Sequence, residues 1–300
     1  YVATPLPSPG ASASPSASPS FPPGTLFTVT SSANAGGTIS PAGIVNYAAG
    51  GVATYTATAD AGSVFLGWTL DGVFVGHASP LDFHVNSDRV LVGRFAQRPA
   101  FQDVPTTDAD YQAITFLAAL GIVNPSGVNG TERFEPGRDV ARAEMAAFIA
   151  RIFGWNTEFH ANTFPDKCDQ NGQNCIDDEL WNTVAALQDY GVVGGYTDPA
   201  TCASAGTTAP CYLPRDPVKR VQVISIVARA FIKAPDQRPT GFWDRLAADP
   251  AQYTNVPNSG TQRSDLTTTF PDPEGNASRR FVIQALYQAY NAWYGVDRVP

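Results

Sequence analysis

Short runs of alternating apolar and polar residues fill the first third of this chain, and apolar residues at helical spacing mark most of the rest. Phe27-Thr-Val-Thr30 alternates, Gly36-Gly37 breaks the run, and Ala53-Thr-Tyr-Thr-Ala-Thr58 alternates again. Asp71-Gly72 between apolar runs is a hairpin signal. Val64-Phe-Leu-Gly-Trp68, Leu81-Asp-Phe-His-Val85 and Val90-Leu-Val-Gly-Arg-Phe95 complete five or six strands. A period of two puts alternate side chains on one face, so residues 25–97 are predicted to form a small all-β domain with no helical period in it. Beyond residue 101 the period changes. Met145, Phe148, Ile149 and Ile152 fall at i, i+3, i+4 and i+7, the spacing of one helix face. Ile114 and Leu117, then Trp181, Val184, Leu187 and Tyr190, mark further helices. So do Ile224, Val227, Ala228 and Phe231, and Ile283, Leu286, Tyr290 and Trp293. Gly121 and Gly191 stand where a left-handed residue closes a helix. The predicted fold class is multidomain, a small all-β domain followed by an all-α domain.

The helical part repeats itself. Phe101-x-Asp103 returns as Phe164-x-Asp166, an offset of 63. Leu117-x-x-x-Gly121 returns as Leu187-x-x-x-Gly191 at 70, and Phe134-x-Pro136 as Tyr212-x-Pro214 at 78. The last offset then holds through Val140/Val218, Arg142/Arg220 and Arg151/Arg229. Its growth places two insertions in the second copy, and all four cysteines lie in them: Cys168 and Cys175, then Cys202 and Cys211. Four cysteines allow three pairings. The local one, Cys168–Cys175 with Cys202–Cys211, lets each inserted loop staple itself. Neither spacing is Cys-x-x-Cys, which disfavours zinc, and disulfides imply an oxidising compartment. A third copy is degenerate. Tyr253-Thr-Asn-Val-Pro257 resembles the opening Phe101-Gln-Asp-Val-Pro105, the first helix is replaced by a Ser/Thr stretch, and the second starts near Arg279-Arg280. Thr240 to Ala248 is expected to add one short helix. The units are 98–160, 161–235 and 236–300.

Residues 1–24 form a further segment. Its first 23 residues hold seven Pro and six Ser, a composition that favours extended, solvated backbone. It is read as an arm or stalk, carrying O-glycans or docking on a neighbour. A start at Tyr1 without a leader is read as a mature form after signal removal. The net charge of −8 and pI near 4.8 argue against nucleic acid as a partner, because phosphate binding needs a basic surface. No apolar run reaches the roughly 18–20 residues that span a bilayer. Secretion, to the cell surface or beyond, is the predicted location.

Gly36-Gly37-Thr-Ile-Ser-Pro41, Tyr55-Thr-Ala-Thr58, Phe65-x-Gly67-Trp68, Asp71-Gly72 and Phe95, in that order, resemble the internalin-type B-repeat of bacterial surface proteins. That resemblance implies a spacer or adhesion module, often β-grasp-like, without catalytic residues. Phe101-x-Asp-Val, Ile114-x-x-Leu117-x-x-x-Gly121-Ile122, Phe134-x-Pro136 and Ala141-Arg-Ala-Glu144 resemble the S-layer homology domain. This second resemblance covers about two thirds of the chain. It implies three helix–loop–helix units about a pseudo-threefold axis, with grooves that bind anionic cell-wall polysaccharide. The family's contact motif, Thr-Arg-Ala-Glu, matches at Arg142 and Glu144 with Ala141 in place of Thr. It matches at Arg220, with Val221-Gln222 in place of Ala-Glu, and at one of Arg279 or Arg280.

A guanidinium at a helix start offers paired donors to an anionic ketal or phosphate. The competing reading ties each arginine to a nearby carboxylate such as Asp103 or Asp166. Two functions follow: a subunit that assembles with copies of itself into an S-layer or extracellular filament, or a module that grips wall polysaccharide. An enzyme is not expected. His77, His84 and His160 are scattered, and neither Gly-x-Ser-x-Gly nor His-Glu-x-x-His occurs. No cofactor is expected. Asp169 to Asn174 with Asp177-Asp178 clusters oxygens that suit calcium, but a stapled, turn-rich loop is the plainer reading. Asn129-Gly-Thr131 and Asn276-Ala-Ser278 match the N-glycan acceptor pattern.

Overall fold

A computed structural model describes residues 21–124, 132–155, 157, 158, 160, 163–169, 171–233, 272 and 274–294. The arm before residue 21, the helix expected from Thr240 to Ala248, the opening at Tyr253–Pro257 and the Asn129 glycan pattern lie outside the described residues.

Eight strands form the N-terminal domain: β1 Leu26–Ala33, β2 Gly37–Ser40, β3 Gly43–Ala48, β4 Val52–Ala59, β5 Ser63–Leu70, β6 Val73–Gly76, β7 Leu81–His84 and β8 Arg89–Gln97. The alternation predicts five or six. The additional strands are short pieces such as β2, β3 and β6, which pair beside longer strands without a long alternating run of their own. One sheet runs β3-β1-β8-β5-β6 and the other β2-β4-β7. β1 and β8 are parallel, with Thr30 opposite Val90, and the remaining pairs are antiparallel. Alternate residues of β4 and β8 turn inward. They meet Val29, Trp68, Leu81 and Phe83 in one core around Tyr55. Gly67 shows why the Phe-x-Gly-Trp run needs its glycine. The ladder with β8 shifts register there, φ is +133°, and a Cβ would lie 2.5 Å from the Gly76 carbonyl oxygen.

Helices follow: α1 Tyr111–Ala119, α2 Arg142–Phe153, α3 Asp178–Asp189, α4 Pro199–Ser204, α5 Arg220–Lys233 and α6 Arg279–Tyr294. Asp177 caps α3 by accepting from the Leu180 amide at 2.7 Å. Asp198 caps α4 by accepting from Thr201 at 2.8 Å, with Pro199 at its first position. α1 and α3 end alike. Gly121 and Gly191 take φ of +72° and +69°, which lets Ile122 and Val192 donate back to Leu117 and Leu187; such a turn satisfies carbonyls the helix end would leave bare. α2 packs on α3, and α6 packs on both α1 and α5. One apolar core joins Leu117, Phe134, Met145, Leu187, Tyr212 and Leu286, and it also takes in Val64 of β5. The two domains therefore share a packed seam.

Candidate functional site

Three turns of the same form prepare the starts of α2, α5 and α6. Glu135, Leu213 and Asp272 each sit at positive φ, 58°, 57° and 56°, a conformation that costs a side-chain residue about 1 kcal/mol or more. Carboxylates hold two of the turns. Asp103 accepts from the amides of Phe134 and Glu135, both at 2.8 Å. Asp166 accepts from Tyr212 at 3.0 Å and Leu213 at 2.6 Å. Burial pushes the Asp103 carboxyl up, but those amides and Arg133 outweigh it and leave the group below the ordinary aspartate value. Asp103 and Asp166 are thus turn anchors. Arg279, Arg280 and Arg220 hydrogen-bond other nearby carboxylates, Glu144, Asp108 and Asp272, while Asp103 attracts Arg279 at longer range.

After each turn a short segment enters a closed cycle of backbone hydrogen bonds. The Val140 amide donates to Ala277, Ala277 to Val218, and Val218 back to Val140, at 3.0, 2.8 and 2.8 Å. Two residues on, Arg142 donates its amide to the Asp216 carbonyl, Arg220 to Gly275, and Arg279 to Arg138. Arg279 therefore holds the place that Arg142 and Arg220 hold, and Arg280 stands one position beyond.

The four arginines meet different surroundings. Arg142 is 5% exposed. Its Nε donates to the Tyr212 carbonyl at 2.7 Å and its Nη1 to Gln222 at 2.9 Å. Its guanidinium lies over the rings of Tyr196 and Tyr212, 4.7 and 4.8 Å from their centres. Arg279 is 3% exposed. It donates to Glu144 at 2.6 Å and to the Asn124 carbonyl at 2.7 Å, and covers the Phe134 ring at 4.7 Å. Burial lowers its pKa, against the opposing pull of Glu144. Arg138 reaches the same Glu144 oxygen at 2.7 Å. Arg220 is more open, its side chain 30% exposed, and lies 3.4 Å from an Asp272 oxygen. Arg280 pairs with Asp108 through two bonds of 2.8 Å and also with Asp110. The Arg280 hydrogen bond holds the Asp108 carboxyl down to about 2.

Arg142 and Arg279 make corresponding contacts. Each stacks on an aromatic ring, Tyr212 or Phe134, and donates to an acid or amide, Gln222 or Glu144. These residues lie 78 apart in sequence, the offset already seen in Phe134-x-Pro136. That offset signals Gln222 as the counterpart of Glu144. Nothing in it signals Tyr196 or the Asn124 carbonyl, which reach the arginines only through the packing of distant segments.

Cys168–Cys175 and Cys202–Cys211 are both formed, the local pairing expected. Cys202 and Cys211 are fully buried. In the first loop Asp169 accepts from the Asn171 and Gln173 amides and from Asn174 Nδ2, at 3.0, 2.8 and 2.8 Å, so its oxygens are turned into its own loop. Among the described residues no group of His, Cys, Asp and Glu is placed to hold a metal ion. A cavity of about 380 Å³ opens between the stapled loops, lined by Asp166, Cys168, Thr207, Leu213, Arg215 and Asp216 among others. None of Arg142, Arg220, Arg279 and Arg280 lines it. His84 and His160 lie apart from one another and from the arginines, bonded to the Gly50 carbonyl and to Asp189. No described helix is long and apolar enough to cross a membrane.

Residues 27–99 match the family model of a divergent InlB B-repeat domain, and residues 100–146 that of the S-layer homology domain. The chain is similar to an S-layer protein of Bacillus thuringiensis subsp. finitimus, with 28% identity over 134 residues, 44% of this chain and 14% of that protein. It is similar in the same degree to the S-layer protein sap of Bacillus anthracis, 28% identical over 133 residues, 44% of this chain and 13% of that protein. The match thus spans about a seventh of the length of these relatives.

Proposed function

From a chain that carries a divergent InlB B-repeat domain followed by an S-layer homology domain, we propose a secreted bacterial cell-surface structural protein. It acts as a subunit of a self-assembling S-layer or extracellular filament and has no catalytic role. Its units, 98–160, 161–235 and 236–300, close about a pseudo-threefold axis. The cycle through Val140, Ala277 and Val218 supports this, as do the three turns at Glu135, Leu213 and Asp272. The observation that carries the reading is the inward commitment of Arg142 and Arg279. A buried guanidinium that bonds a carbonyl and Gln222 or Glu144 of the neighbouring unit clamps one unit to the next. It has little left to offer a polymer.

Electron microscopy of the purified full chain tests the proposal. Ordered sheets or filaments are the expected result, with loss of order when residues 1–23 are removed if the arm links neighbours. A chain that stays monomeric by light scattering across assembly conditions would refute self-assembly. One observation favours the wall-anchoring alternative, the greater exposure of Arg220. In that reading an anionic wall polysaccharide is the partner, and Arg220→Ala should lower capture of the chain by isolated sacculi. Equal capture of both forms would remove Arg220 from any such site.

A further inference from the structure

We propose that His77 is an acid-sensitive latch between the β-domain and the helical domain, holding them together when neutral and releasing them when protonated.

His77 lies between β6 and β7, yet its contacts are with the other domain. Its ring is 5.8 Å from Phe116 of α1 and 5.2 Å from Tyr290 of α6, centre to centre. Its Nε2 stands 2.9 Å from Asn291 Oδ1. Since a carboxamide oxygen only accepts, Nε2 carries the proton of the neutral ring. Nδ1 is buried and has no hydrogen-bond partner. Neutral imidazole fits this seat, because a bare ring nitrogen against aromatic faces costs little more than its lost hydration. The imidazolium does not fit. Protonation would put an N–H and a charge where no acceptor stands, and a buried unpaired charge is among the costlier faults a packed interface can hold.

Relief from within the loop is restricted. Trp68 Nε1 donates to the Ala78 carbonyl at 2.8 Å, and Ser79 Oγ accepts from the Ala57 amide at 2.9 Å. These bonds pin the residues next to His77 to the β-domain. The seam is otherwise apolar or neutral near the ring. α1 carries no charged residue, and its Tyr111 lies under the Arg98 guanidinium at 5.6 Å. Arg98 also bonds Thr115 at 2.6 Å, and the acids at the start of α1, Asp108 and Asp110, are paired with Arg280 at the start of α6. α6 contributes the phenols Tyr287 and Tyr290. Its cations Arg279 and Arg280 lie in its first turn, about 17–18 Å along the axis from Asn291 at 1.5 Å per residue. β5 and β6 carry no titratable residue, and Asp82 and His84 of β7 take the strand's exposed positions. No described carboxylate from these elements faces the imidazole.

Burial lowers the His77 pKa below its ordinary value, and the Asn291 bond offsets only part of that. The sign follows. A histidine whose pKa is lower docked than free favours docking fully above the free value, about 6.5. Docking then weakens about tenfold for each pH unit between the free and docked values.

Small-angle scattering of the full chain from about pH 7.5 to 5, with histidine proton resonances followed in parallel, tests this against the ordinary histidine range. The wild type should expand as the pH falls, with circular dichroism showing both domains still folded. His77→Phe should stay compact throughout. Should that variant fail to fold, His77→Gln keeps the donor to Asn291 and should be equally insensitive to acid. Asn291→Asp sets a carboxylate opposite the ring, so it should raise the His77 pKa and make acid tighten the seam. Dimensions of the wild type that do not change with pH would overturn the proposal. So would a His77 resonance titrating at or above the free value, or substituted chains that follow the wild-type curve.

Discussion

Arg142→Met separates a clamp from a ligand group. Methionine keeps much of the length and apolar bulk of arginine but removes the guanidinium from between Tyr196 and Tyr212. Two good hydrogen bonds go with it, to the Tyr212 carbonyl and to Gln222. Bonds from a charged donor contribute about 1.5–3 kcal/mol each, and a desolvated cation over an aromatic face up to about 2 kcal/mol. Against this, the variant no longer has to bury a cation, and that saving can amount to several kcal/mol. A net loss of about 3 kcal/mol is expected, because the Tyr212 carbonyl is left in a buried position without its donor. That is more than 100-fold in the unfolding equilibrium at 1.4 kcal/mol per decade. Urea denaturation followed at a helical wavelength measures it, provided both forms show the same slope. Gln222→Met, made alone and together with Arg142→Met, should be strongly non-additive, since the two side chains share one bond. A loss under about 1 kcal/mol, with additive behaviour in the double variant, would refute the clamp.

Trp68→Ala should cost the β-domain about 3–5 kcal/mol, since the side chain is fully buried and its Nε1 is bonded to Ala78; thermal unfolding should then show the β-sheet signal melting first. Replacing Cys202 and Cys211 by Ala should destabilise the chain more than replacing Cys168 and Cys175. Both loops close short spans, worth about 2–3 kcal/mol by chain entropy, but only the second pair is fully buried. Denaturation of the two double variants makes the comparison. The Asp108 carboxyl, held down to about 2 by Arg280, contributes stability that is present above the ordinary aspartate value and lost as the pH falls through about 2. Asp108→Asn should therefore flatten the acid limb of a melting-temperature profile, and an unchanged limb would remove this pair from the account.

The periodicities were enough to assign the types of the longer elements, but not to find short strands such as β2, β3 and β6. A two-residue period marks strands and a 3.6-residue period marks helices because each fixes which side chains share a face, as β4 and α2 illustrate. The glycines at 121 and 191 were legible because a left-handed helix end favours their type. The cysteine pairing was legible because the insertions that carry the thiols could be located from the repeat offsets. The fates of the arginines were not legible. Arg142, Arg220 and Arg279 occupy one position in a repeating pattern, yet one is sandwiched between tyrosines, one is partly open and one is locked to Glu144. Neighbours in sequence are the same for every copy of a chain, whereas burial and hydrogen-bond partners depend on which remote segments arrive. Tyr196, Asn124 and Tyr212 reach the guanidinium groups across tens of residues. His77 repeats the lesson across domains: its own strands predict a surface or core histidine, and only the docking of α1 and α6 makes it a half-buried base whose Nδ1 is covered and has no partner. What the sequence determined by itself was local, set by backbone geometry and side-chain period. What only the tertiary structure decided was electrostatic, because the energy of a charge depends on what water it has lost and what replaced it.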